Sequence, residues 1–482
     1  MFPILLRENS ARINSQREKT IWHAIIALGS LHEHFVEKEQ DLTGIEFLRR
    51  EQDAFTLHEY STAIRALLKP SGKTDDKITA GSFGNVTVDV CLISCILFTC
   101  FEILSGHYTS AVNHVRSGIK ILRDVYYDTS CGIFRHPHLL PSTVSNLEIA
   151  SICKIFVYLH TQTSTLTRTE VDVPAHGPLG APETAPFPSD FPELFTSIAE
   201  AATSLATLKR SYIIHYRNIM QAVSIGKAPE MSEYLFEQIG SSVPRWCAAF
   251  ARFEESRRHV PDREQNGLKI VKIHQLHMLM YYEYARASER AIHRNERSLF
   301  SWDDYNEQFA EIVSLAASVV RNGYGADASL GGDQIQPFFC LDDGILAPLY
   351  EVATLCRDPT IRRRAVSILR SAPRQEGLFN SHLLAMVAEK AIAIEEAAAA
   401  AAAASSGSSA LNYNSITTDT NQKAGNMIIM ESSQIPDSVR LVYAFPKFDL
   451  AQRKISLTIG PSTKREIDIP WPELDFLVDA GR

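Results

Sequence analysis

The densest hydrophobic run in the chain, VCLISCILFTCF at residues 90–101, is bounded by Asp89 and Glu102. Nearly every position is apolar, so a helix over this run has no solvent face and belongs in the middle of a bundle. Ser105-Gly106 interrupts the pattern. Beyond it Tyr108, Ala111, Val112, Val115, Ile119 and Leu122 recur at short helical steps, with Asn113, His114, Arg116 and Lys120 on the opposite face. That is the period of an amphipathic helix. The two runs predict an antiparallel pair turned at Gly106, because glycine adopts the left-handed conformation after a helix without strain.

The same period predicts the elements around this pair. A core-facing helix covers residues 19–35, with Ile21, Ile25, Leu28 and His32 on one stripe and Gly29 beside it, where another helix is expected to approach closely. A second helix covers 45–68 and stops at Lys69-Pro70-Ser71-Gly72; residues 71–86 read as a loop. His136-Pro137 and Leu140-Pro141 break the chain before a helix at 146–159. Six prolines between residues 171 and 192 exclude regular helix there. Further helices are predicted at 193–209, 212–224, 231–240, 244–255 and 268–290. Ser301-Trp302-Asp303-Asp304 has the spacing of a capping box and opens a helix to about residue 320. The glycine-rich stretch 322–337 reads as a loop. Asp358-Pro359 pairs an acidic cap with proline at the first helical position, and Pro373 ends that helix. A last helix covers 381–396.

Composition then changes. Eight alanines at 397–404 extend a helix well, whereas the SSGSS that follows does not, so 397–426 reads as a fraying linker. The tail, 427–482, contains MIIM, VRLVYAF and KISLTI, whose β-branched and aromatic residues predict short strands. The fold class is therefore all-α: a multi-helix array of paired antiparallel helices over 1–396, the linker, and a small C-terminal tail with short strands.

A net charge of −8 in 482 residues lacks the basic excess of a chain that grips phosphate backbones over a broad surface. The N-terminal apolar run ends at Arg7, too short for a signal-peptide core, and run 90–101 falls short of a bilayer span. The eight cysteines (91, 95, 100, 131, 153, 247, 340 and 356) lie mostly within apolar runs, which suits reduced, buried thiols. A soluble intracellular protein is expected, with no membrane contact.

The common catalytic motifs do not occur in the sequence. There is no Gly-x-Ser-x-Gly elbow and no Walker loop, and Gly323-Tyr324-Gly325 follows a helix where a dinucleotide fingerprint follows a strand. Cys91 and Cys95 stand four apart inside an apolar helix and read as small buried residues. His136 and His138, with Cys131 and Cys153 nearby, lack an acidic partner; His32 with His34, and His274 with His277, have spacings common at the edge of a core. The basic runs Arg257-Arg258 and Arg362-Arg363-Arg364 are short and suit solvated helix faces. However, successive helical residues turn by about 100°, so one of the last three arginines must point inward. Asp342, Asp343 and Glu376 are its expected partners. No catalytic, cofactor-binding or metal residue is assigned, and no enzyme activity or cofactor is expected.

Four stretches resemble the helical regulatory region that follows the binuclear zinc cluster in fungal transcription factors. They are AIIALGSLHE at 24–33; FEILSG at 101–106 with HVRSG at 114–118; LDDG at 341–344, CRDP at 356–359 and RRRA at 362–365; and PRQEGL at 373–378 with IEE at 394–396. The resemblance implies a nuclear regulator of transcription controlling a pathway such as a metabolic gene cluster. Its implied partners are other transcription proteins or a small-molecule effector; a homodimer is one arrangement left open. A zinc cluster needs closely spaced cysteine pairs, but the first cysteine is Cys91 and no two have Cys-x-x-Cys spacing. Direct DNA binding is therefore not expected of these residues. A cytosolic helical scaffold without a transcriptional role is the competing reading.

Overall fold

The computed structural model describes residues 16–37, 54–68, 86–142, 146–167, 191–224, 233–257, 262–294, 300–322, 337–371, 373–405, 431–436, 440, 447–449, 454–459 and 465–470. Twelve α-helices in these residues form three packed groups, which makes the fold all-α.

The first group surrounds the hydrophobic run. α1 (Gln16–Glu37) and α2 (Ala54–Leu68) pack on α3 (Val88–Leu104), which turns through Gly106 into α4 (Tyr108–Asp124). Gly106 has φ 78°, the left-handed conformation that the break in the pattern implied. All but one residue of α3 are buried, and Leu92, Leu97 and Phe101 sit in a core with Leu28, Phe35, Val115 and Ile119. The close approach expected at Gly29 is absent: that position is exposed and nothing lies within 4 Å of where a side chain would start. Close approach occurs instead at Gly118 of α4, where a methyl group would overlap the Phe156 ring of α5 (Asn146–Thr167). The chain breaks before α5 hold a small hairpin that the periodicity did not reveal, β1 (Tyr126–Asp128) paired with β2 (Ile133–Arg135). Three-residue strands are too short to leave a period of two.

The second group is α6 (Ile198–Ser224), α7 (Glu233–Ser256) and α8 (Asp262–Arg294), around Trp246, Phe250 and Phe253. Two predicted breaks are missing here. α6 runs unbroken through Lys209-Arg210-Ser211, and α7 contains Pro244 in its interior. Buried neighbours on each side hold these helices together: Leu208 and Tyr212 on α6, Val243 and Trp246 on α7. Packing of an apolar face outweighs the local breaking signal.

The third group contains α9 (Asn306–Asn322), α10 (Leu346–Leu355), α11 (Pro359–Ser371) and α12 (Ser381–Ser405), with α8 completing it. Ser301 accepts from the Asp303 amide at 3.3 Å and opens a short 3-10 turn before α9. The Asp303 carboxylate meets Arg440 at 2.8 Å. β3 (Phe338–Cys340), β4 (Arg374–Glu376) and β5 (Phe379–Asn380) form a small mixed sheet, with β3 parallel to β4. α12 continues through the alanines to Ser405, with Ala399 buried, so the linker expected from 397 begins inside a helix.

In the tail, β6 (Lys447–Asp449), β7 (Lys454–Ile459) and β8 (Arg465–Pro470) form an antiparallel sheet, and KISLTI is the strand its composition predicted. Phe448 and Ile455 are buried in the same core as α8 to α12. The expectations at 38–53, 69–85, 168–190, 323–336 and 406–430, and the VRLVYAF strand at 439–445 apart from Arg440, lie outside the described residues.

Candidate functional site

α10 organises the charged interior. It is ten residues long and nearly all of it is buried, so its free terminal amides and carbonyls need partners other than water. At its start the Glu376 carboxylate accepts from the Ile345 amide at 2.9 Å and the Leu346 amide at 2.8 Å. An anion there also meets the positive end of the helix dipole. Gly344 is required by the same contact, because a side chain there would occupy the place of the Glu376 carboxylate. Arg374 donates to Glu376 in turn and stacks 4.1 Å over the Phe338 ring.

At the other end of α10 stand two guanidinium groups. Arg357 donates to the Leu355 carbonyl, and Arg362 donates to the Ala353 carbonyl at 3.3 Å. Both also pair with Glu395 of α12, Arg357 at 3.0 Å and Arg362 at 2.8 Å. All three side chains are fully buried. Burial pushes the Arg357 guanidinium below its ordinary range, and Glu395 works against that. Arg362 is thus the inward member of the arginine run, while Arg363 and Arg364 are exposed and Arg363 pairs with Glu396 at 2.7 Å. The partner expected among Asp342, Asp343 and Glu376 is instead Glu395, nineteen residues beyond Glu376. Glu376 is already committed to the opposite end of α10, and Asp343 faces elsewhere.

Asp343 faces the junction of the three groups. Lys209 of α6 donates to it at 2.8 Å and to Nδ1 of His274, on α8, at 2.9 Å. Burial alone raises the Asp343 carboxyl, but His274 and Lys209 more than offset this and hold it well below the usual range. Burial pushes the His274 imidazole down to about 4, so the ring is neutral near pH 7. One helical turn on, His277 pairs with Glu351 of α10. From α5, Tyr158 donates to the Asp342 carbonyl at 3.1 Å, and Gln162 bonds the Glu376 carbonyl at 2.9 Å and the Leu378 amide at 2.8 Å. Gly377, at φ 56°, lies against Gln162, where a side chain would collide with its amide.

These networks bind helix ends and loops to one another. They do not assemble a nucleophile beside a base, and among the described residues no group of three or more His, Cys, Asp or Glu side chains could hold a metal ion. The remaining cysteines, histidines and basic runs singled out by the sequence are scattered. Cys91, Cys95 and Cys153 are buried with their thiols pushed up to about 12 by burial. His136 and His138 lie at the hairpin with rings 6.0 Å apart, and Cys131 is exposed. His32 is exposed on α1 and its ring lies 5.9 Å from Phe35. Arg257 pairs with Glu264 at 2.6 Å, whereas Arg258 and Gly323 to Gly325 lie outside the described residues. No helix among the described residues is long and apolar enough to cross a membrane.

The chain is similar to a curated protein of Emericella nidulans, the aspercryptin biosynthesis cluster-specific transcription regulator atnN. The two are 34% identical over 110 residues, a stretch that spans 22% of this chain and 15% of that protein. No protein-family model matches the chain, and no solved structure matches it.

Proposed function

We propose that this chain is the helical regulatory body of a nuclear transcription regulator of the fungal zinc-cluster type, acting on a set of metabolic genes. The observation that carries the reading is the 110-residue similarity to a cluster-specific regulator, at 34% identity. The charged interior supports it from another direction. Of the four stretches that carry the family resemblance, the last two contain residues that cap or pair around α10 and its neighbours: Asp343, Arg357, Asp358, Arg362, Glu376 and Glu395. These contacts hold helices together, and among the described residues a helical scaffold of this kind offers surfaces for binding. The protein acts by engaging other transcription proteins or a small-molecule effector, and DNA contact is not assigned to these residues, given the net charge of −8.

A fusion of the full chain to an unrelated DNA-binding domain, beside a reporter gene carrying that domain's site, tests this reading. Nuclear accumulation of the fusion and a reporter level shifted by at least about threefold in either direction are expected. A chain excluded from the nucleus, with the reporter at its basal level, overturns the proposal and favours the scaffold reading.

A further inference from the structure

The interior proline of α7 has a consequence beyond helix geometry. Pro244 has no N–H, so the Gly240 carbonyl loses the bond that residue 244 would otherwise donate. On this side of the helix an open groove of about 620 Å³ lies between α7 and α8. That is within the range of small-molecule sites, roughly 300–1,000 Å³. Its apolar lining comes from Val243 and Pro244 on one side and Leu279 and the Tyr282 ring on the other, with Cys247 also lining it. Gly240 keeps the groove open, since a side chain there would press on the Tyr282 hydroxyl.

One end of the groove is charged. Arg286 lies 5.5 Å over the Tyr282 ring, also engages the Tyr282 hydroxyl, and reaches Glu283 at 3.3 Å. The Glu283 contact uses one of the five guanidinium N–H donors. Both side chains are more than a third exposed, so the pair is weak and open to competition. Arg290, one turn further on, also acts electrostatically on the Tyr282 phenol, so among the described side chains Arg286 and Arg290 stand against Glu283 here. A planar fork beside an aromatic ring, at the end of an apolar slot, matches a carboxylate on an apolar body.

We infer that the groove between α7 and α8 binds a small amphiphilic acid, an aromatic or alicyclic body with one carboxylate directed at Arg286. Its use as an effector site rests on the regulatory reading above, but the binding measurement does not. Failure to bind and failure of the reporter are therefore separate outcomes.

Calorimetric titration of the full chain with 2-naphthoate, and with the neutral 2-naphthamide, tests the inference. Naphthoate should bind at one site, with the amide weaker by about tenfold, a difference of roughly 1.4 kcal/mol. Arg286→Gln should weaken naphthoate by about the same factor and leave the amide unchanged. Leu279→Trp, which fills the slot, should abolish both. Because Arg286 is partly exposed, its variant keeps the fold, which a thermal melt verifies. Absence of binding, or a naphthoate affinity unaltered by Arg286→Gln, overturns the assignment.

Discussion

Glu395 shows at the residue scale how much depends on one buried carboxylate. It is the shared partner of Arg357 and Arg362, and removing one member of a buried ionic group strands the others without water. Arg362→Ala should therefore lower unfolding free energy by about 3–5 kcal/mol. Arg364→Ala, at an exposed position of the same helix, should stay within about 0.5 kcal/mol. Chemical denaturation of the two variants decides it, and equal losses would refute the inward placement of Arg362. His274 gives a second residue-scale expectation. Its imidazole is held at about 4 in the native state, whereas the unfolded ring has the ordinary value of about 6.5. Between those values the unfolded chain binds the extra proton, so stability falls as pH drops from 6.5 towards 4. The slope reaches at most about 1.4 kcal/mol per pH unit for one proton. Asp343, whose carboxyl is held low, adds a further loss only below the ordinary carboxylate range. Replacing His274 by Asn should flatten the upper part of the curve, and a parallel curve would contradict the assignment.

α3 and α10 are the two elements on which the others are built, for different reasons. α3 is held by hydrophobic burial on nearly every side. Leu97→Asp places an ionisable group in that core and should cost several kcal/mol, on the order of the largest single-site effects. A thermal melt indistinguishable from wild type would show that α3 is not the stability centre of its group. α10 is also buried, but a short buried helix needs its termini satisfied, and ion pairs do this at both ends. Gly344→Ala tests the N-terminal end, because the added methyl group displaces the Glu376 carboxylate. A loss of about 1–3 kcal/mol is expected, the range for a buried polar group left unsatisfied.

At the scale of the whole molecule, the C-terminal strands belong to the helical body. Phe448 and Ile455 enter the core formed by α8 to α12, and Arg440 pairs with Asp303 at the start of α9. Phe448→Ala should therefore destabilise the helical body by about 3 kcal/mol, as core aromatic truncations do. A denaturation midpoint equal to wild type would mean that the tail rides on the body without supporting it. Lys209, His274 and Asp343 meet where the three helix groups join, so the pH response of His274 is also a response of the contact between groups.

The sequence alone determined the helices that are long and periodic, because burial of one face leaves a repeat that can be read locally. The α3–α4 pair with its turn at Gly106, the Asp358 cap of α11 and the KISLTI strand were legible because each signal (an apolar run, a cap residue, β-branched composition) is also local. Asp358 meets the amides of Thr360 and Ile361 at 2.9 Å, a contact within one turn of chain. That one arginine of 362–364 faces inward also followed from helical geometry. Its partner did not, since Glu395 lies 33 residues away and three nearer carboxylates fit the charge equally well. Tertiary structure likewise decided that Gly118 and not Gly29 is the close contact, and that Pro244 sits within a helix. The ionic junction of Lys209, His274 and Asp343 joins positions up to 134 residues apart. Local sequence records what a segment must bury; which segment covers it is set by packing between elements far apart in the chain.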